Sequence, residues 1–182
     1  MVVQRGQQAE VTLGAFEPGG RPGAEALASA LGRAGVPVSV TDDIQAALWL
    51  KVLIICGLGS GTAYARRAIG EVLADPDLAS LVERLMREVA GVAQARGIAV
   101  PPGAPDAVLA YAHPQLDPGF KSSMLRDVER GRPLEVEALN GAVVRYGREG
   151  GVPTSANQRV LEELLPLHRR AMEARGRGSI EG

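Results

Sequence analysis

Between Asp75 and Gly97 the chain reads DPDLASLVERLMREVAGVAQARG. Here Leu78, Leu81, Val82, Leu85, Val89 and Val92 recur at the three- and four-residue steps of one helical face. Asp75 is suited to capping, Pro76 to the first helical position and Gly97 to the stop. This is the clearest helix in the chain. Further helices are predicted over 103–119, broken by prolines, and over 120–131, 133–151 and 154–176, with Pro166 expected to kink the last. The pattern upstream differs. AEVTLGAF (9–16) alternates like a strand, and EPGGRPG (17–23) is a loop by its prolines and glycines. AEALASALGRAG (24–35) is a short amphipathic helix with Leu27 and Leu31 on one face, ended by Gly35, and VPVSV (36–40) is a second strand. Two or three strands and one helix make a poor domain alone, so residues 1–41 read as the end of an incomplete α/β domain. From Asp42 to residue 176 only helices follow, the first capped by Asp42 or Asp43, and residues 177–182 read as a disordered tail.

One stretch admits two architectures. LWLKVLIICGLGSGTAYA (48–65) is either a strand entering a phosphate-binding loop or a single apolar helix carrying one lysine. A dinucleotide fingerprint needs G-x-G-x-x-G between strand and helix, whereas Gly57, Gly59 and Gly61 have the wrong last spacing and follow a capped helical start. No Gly-Lys-Ser/Thr follows either. The helix is therefore expected, with its glycines where another backbone or a ligand comes close. Residues 46–65 have the length of a membrane span and one charge, but the lysine is central and the second half is rich in Gly, Ser and Thr. A buried core helix is the expectation, and no membrane partner.

Composition narrows the function classes. Net charge is −1 with no basic stripe, which argues against a nucleic-acid partner. Cys56 is the only cysteine, which rules out an internal disulfide or a cysteine-based metal cluster, and His113 and His168 lack ligand spacing, so no metal is expected. The first residues do not have the pattern of a secretory leader, and a cytoplasmic protein is expected.

Lys51 is the candidate for chemistry. On a helix its neighbours three and four residues away are Ala47, Leu48, Ile54 and Ile55, all carbon. An ammonium desolvated by such neighbours is shifted toward neutrality and becomes a competent proton donor. The other reading is a lysine whose stem lies on apolar surface while its tip reaches water.

LWLK, then Thr62–Ala63, then SSMLRDVERGRPLEVEALNGAVVRYGREGGVPTSAN (122–157) together resemble the ketopantoate reductase (2-dehydropantoate 2-reductase) family in its C-terminal domain. The resemblance runs from about Asp42 to the last helix. It implies a mainly α fold: an all-helical domain of the 6-phosphogluconate dehydrogenase C-terminal-like type over 42–176. Residues 1–41 would then be the remnant of a nucleotide-binding Rossmann domain. It also implies reduction of a 2-keto acid with NADPH, in pantothenate biosynthesis, in a cleft between the two domains. By position Lys51 matches the family's proton-donating lysine, Glu135 its acidic partner toward the substrate hydroxyl, and Ser123 a substrate-binding serine. With Pro133 as the first helical residue, Glu135 would be the third, ionised at the positive helix end and able to pair with Lys51. Arg126, Asp127 and Arg130 read as a solvated face, and Asn140 as a structural bond between helices.

The chain departs from the family at two places. Substrate-binding asparagines four and eight residues after the lysine are replaced by Ile55 and Gly59. Losing both amides removes hydrogen bonds worth on the order of 1 kcal/mol each and favours a more apolar keto acid than ketopantoate. The chain alone, without the glycine fingerprint that holds the cofactor, is expected to be inactive. The alternative is a catalytically inactive helical association or binding module of the same descent. Exposed apolar surface would favour a homodimer.

Overall fold

The computed structural model describes residues 10–178, and the start of the expected first strand and residues 179–182 lie outside them. Its contacts divide the chain into two compact units that meet in sequence between Leu48 and Trp49.

In the first unit, strands β1 (Val11–Leu13) and β2 (Val38–Val40) pair in parallel, Val11 opposite Val38 and Leu13 opposite Val40. Parallel neighbours need a crossover, supplied by helix α1 (Arg21–Arg33), which ends before Gly35 at φ 78°. This is the expected α/β element, although α1 buries none of its residues and Leu27 is half exposed.

Helix α2 (Ile44–Ile54) begins at Asp43, whose Oδ1 accepts from the Ala46 N–H at 2.9 Å. The unit boundary falls inside this helix rather than between residues 41 and 42, because its first turn packs on the strand end. A Cβ on Gly14 would stand 2.7 Å from the Cβ of Ile44.

The second unit is all helix. Beyond Ile54 the helical path of α2 continues through a π turn, Ile55–Gly59, into α3 (Ser60–Ala65), so the helix reading of 48–65 holds. The run 44–65 is long and apolar enough to cross a membrane by length and composition, and 50% of the 18-residue apolar window within it is buried inside the protein. Then come α4 (Ile69–Ala74), α5 (Pro76–Ala95), α6 (Ala104–Gln115) and α7 (Ser123–Glu129). A second π turn, Glu137–Gly141, leads into α8 (Ala142–Gly150), and α9 (Ser155–Gly178) runs on through Pro166 without a break.

Helix α5 is the axis of this unit. Asp75 caps it through the N–H groups of Asp77 and Leu78, and Leu81, Val82, Leu85, Met86, Val89 and Val92 are buried, as their spacing predicts. Two faces of α5 serve two apolar clusters: Val82, Met86, Val89 and Val92 pack with Leu53, Cys56 and Val143, while Leu81 and Leu85 pack with Leu125, Val136, Val160 and Leu164. Glycines let the α2–α3 run lie close to it. A Cβ on Gly57 would come within 2.4 Å of Met86, and one on Gly61 within 2.6 Å of Val82.

Candidate functional site

All five site residues named from the sequence belong to the second unit. Lys51 lies on α2, Ile55 and Gly59 in the first π turn, Ser123 at the first position of α7, and Glu135 two residues ahead of the second π turn. The fold brings these elements together: the first π turn packs against α7 and against the second π turn. A π turn inside a helix is uncommon and is frequently found at functional sites.

Of the two readings of Lys51 the structure fits the second: its side chain is exposed, and Leu48 and Ile54 on the same face are 43% and 37% exposed. Carbon neighbours along a helix do not cover a side chain unless another element closes over them. Glu135 is not the third helical residue. The helix starts later, at Glu137, and the Glu135 carbonyl instead accepts from the Leu139 N–H at 3.0 Å. Among the described residues no ion pair joins Lys51 to Glu135, and the side chains of Lys51, Ser123 and Glu135 are all exposed without a hydrogen-bond partner.

Behind these exposed groups lies a buried polar seam that sequence reasoning found only at Asn140. Ser60 Oγ donates to Asn140 Oδ1 at 2.8 Å, Asn140 Nδ2 to Asn157 Oδ1 at 2.9 Å, and Asn157 Nδ2 to Glu88 Oε2 at 2.8 Å. The Glu88 carboxylate also accepts from the Ala156 and Asn157 N–H groups at 2.8 and 2.9 Å, so a side chain of α5 caps α9. A second group closes the first π turn: Thr62 Oγ1 reaches the Leu58 and Gly59 carbonyls at 2.9 Å and Ser122 Oγ at 2.8 Å. Ser122 Oγ also accepts from the Leu125 N–H, which makes it the cap of α7. Ser60, Thr62, Asn140 and Asn157 are 0% exposed, and no buried side-chain nitrogen or oxygen among the described residues lacks a partner. The signal available in sequence was the pairing of Ser122 with a helix start three residues before Leu125.

The three glycines of the opening run separate by role. Gly57 and Gly61 are demanded by α5, whereas a Cβ on Gly59 would meet only Ile55, with Cγ2 at 3.3 Å. Packing against another element does not require Gly59. Cys56 is buried beside this turn, and desolvation pushes its thiol up to about 12. It is a core residue, with no thiolate available near neutral pH. His168 Nδ1 accepts from the Leu134 N–H at 3.0 Å. No group of acidic, histidine and cysteine side chains suited to a metal occurs among the described residues.

Residues 43–167 match the family described as ketopantoate reductase PanE/ApbA C terminal. A 2-dehydropantoate 2-reductase of Mesorhizobium japonicum is 30% identical over 151 residues, 82% of this chain and 44% of the relative. The crystal structure of a 2-dehydropantoate 2-reductase from Geobacter metallireducens is 28% identical with a TM-score of 0.78, over 92% of this chain and 57% of that one. A dimeric ketopantoate reductase from Staphylococcus aureus is 26% identical with a TM-score of 0.69, over 75% of this chain and 47% of that one. The chain thus spans about half the length of the curated relatives it matches, between 44% and 55% of the two whose shares bracket the range. On the match over 43–167 the chain belongs to the ketopantoate reductase family, in its C-terminal, all-helical domain.

Proposed function

We propose that the chain is the C-terminal portion of an NADPH-dependent, 2-dehydropantoate 2-reductase-like oxidoreductase that reduces a 2-keto acid to a 2-hydroxy acid. The observation carrying this reading is the contrast at the site. Lys51, Ser123 and Glu135 stand exposed and unpaired on elements that converge on the first π turn, while the polar groups behind them are buried and paired. Structural side chains satisfy each other; side chains kept for a substrate wait for one.

The turn from β1 to α1 carries Gly14, Gly19 and Gly20 but not the G-x-G-x-x-G spacing of a dinucleotide-phosphate cradle, so no cofactor-binding role falls to these residues. NADPH would supply the hydride in the complete enzyme, and the chain alone is inactive. Lys51 gives a proton to the carbonyl oxygen as negative charge develops there. Ser123 hydrogen-bonds the substrate, and Glu135 accepts from a substrate hydroxyl and balances the lysine. Ile55 and the buried Gly59, where a Cβ would stand 3.3 Å from Ile55 Cγ2, offer no amide to read a polar substituent, which favours a 2-keto acid more apolar than ketopantoate. The same two residues favour a second reading, a catalytically inactive helical association or binding module. A cytoplasmic location and a homodimer belong to both readings, the latter supported by the likeness to a dimeric relative.

The test is NADPH oxidation by the chain extended upstream to include a glycine fingerprint, with ketopantoate and a series of apolar 2-keto acids. Activity on one of them that disappears in Lys51→Ala supports the reductase. No activity on any, or activity indifferent to Lys51, leaves the helical module.

A further inference from the structure

The direction of every hydrogen bond in the buried seam is dictated from one end. The Glu88 carboxylate can only accept, so Asn157 must turn its Nδ2 toward it. The Asn157 Oδ1 then faces Asn140, which must present its own Nδ2, leaving Asn140 Oδ1 to face Ser60. Ser60 has one hydroxyl hydrogen and must spend it on Asn140. The Ile55 carbonyl, 3.5 Å from Ser60 Oγ, is served instead by the Ser60 N–H that closes the π turn.

The two ends of the Ser60–Asn140 bond sit in telling places. Ser60 immediately follows the π turn that contains Ile55 and Gly59. Asn140 lies inside the π turn that follows Glu135, whose carbonyl holds the Leu139 N–H. The bond spans 80 residues of sequence, is buried at both ends, and joins the helix of Lys51 to the segment of Glu135. Among the described residues no hydrogen bond or ion pair joins those two catalytic candidates directly.

We infer that Ser60 and Asn140 are positioning residues: their hydrogen bond, polarised from Glu88 through Asn157, locks the two π turns together and so sets the spacing between Lys51 and Glu135. The inference rests on the reductase reading for its catalytic consequence and on the geometry alone for the coupling. A buried network fully satisfied in one direction has no equivalent alternative pairing, so it holds one register.

Two measurements test it. In the chain as it stands, Ser60→Ala is expected to speed amide exchange at Leu139 and Gly141 at least tenfold, while amides of α6 are unchanged and Ser60→Thr, which keeps the hydroxyl, restores protection. Unchanged exchange at Leu139 and Gly141, with melting showing a folded variant, overturns the coupling. In the upstream-extended enzyme, Ser60→Ala is expected to lower kcat at least tenfold with little change in KM for the cofactor, and to do no further harm to kcat when Glu135→Ala is already present. Strictly additive losses in that double-mutant cycle mean a general structural role and overturn the positioning claim. A wild-type enzyme without turnover overturns the reductase reading, and with it the catalytic consequence, while the exchange result still decides the coupling.

Discussion

Ser122 and Ser123 are consecutive in sequence and opposite in circumstance. Ser122 is 7% exposed, caps α7 and bonds the Gly59 carbonyl and Thr62, whereas Ser123 is exposed and its side chain bonds nothing among the described residues. The contrast extends to the whole second unit. One layer of polar groups, Ser60, Thr62, Ser122, Asn140 and Asn157 with Glu88, holds helices to one another. Another layer, Lys51, Ser123 and Glu135, lies one to nine residues away along the chain from Ser60, Ser122 and Asn140, and its side chains bond nothing among the described residues. Exposed polar groups can stay unpaired in water at little cost, but a buried polar group without a partner costs about 1–3 kcal/mol. The first layer must therefore be complete before the second can be displayed.

The contrast is broken most severely at Asn157. Asn157→Ala strands Asn140 and removes a bond to Glu88, and is expected to destabilise the fold by about 3 kcal/mol in urea unfolding, the cost of two or so orphaned groups. Next comes the glycine series. Gly61→Ala drives a Cβ against stiff Val82 and should cost about 2 kcal/mol, while Gly59→Ala, facing only Ile55, should fall within about 0.5 kcal/mol of the parent. Equal losses at both positions would mean that Gly59 is a packing glycine after all. Cys56 supplies a pH test of the same core. Its folded thiol titrates near 12, so between the unfolded value of about 8.5–9 and 12 the unfolded state binds fewer protons. Stability should therefore fall as pH rises through that window, by up to about 1.4 kcal/mol per unit, and Cys56→Ser or Cys56→Ala should remove the slope. The smallest effects discriminate the serines. Ser122→Ala loses a cap and about 1 kcal/mol, whereas Ser123→Ala, Lys51→Ala and Glu135→Ala should leave the melting temperature within a degree or two.

Much of this was readable in the chain before any fold was known. The caps at Asp43 and Asp75, the face of α5 and the helix over 48–65 all depend on interactions within a few residues of one another, which spacing and side-chain chemistry report directly. The resemblance in Ser122–Asn157 led to the family. What spacing could not report was cover. Lys51 has four carbon neighbours on its helix and is nevertheless exposed, because burial is decided by whether another element closes over that face. The start of the helix after Pro133 was set too early for a similar reason: a π turn at Glu137–Gly141, held by Asn140 reaching Ser60 and Asn157, fixes where the helix begins.

The sequence by itself determined which segments are helical, where most of them start and stop, and which residue types are available for proton transfer and substrate binding. Only the tertiary structure decided that Gly57 and Gly61 serve α5 while Gly59 does not, that Ser122 rather than Ser123 carries the architecture, and that Ser60, Asn140, Asn157 and Glu88 form one chain of bonds. The reason is range. Propensity, capping and periodicity act over one to four residues, whereas these contacts join positions 17 to 80 residues apart, and their partners are fixed only when the helices pack.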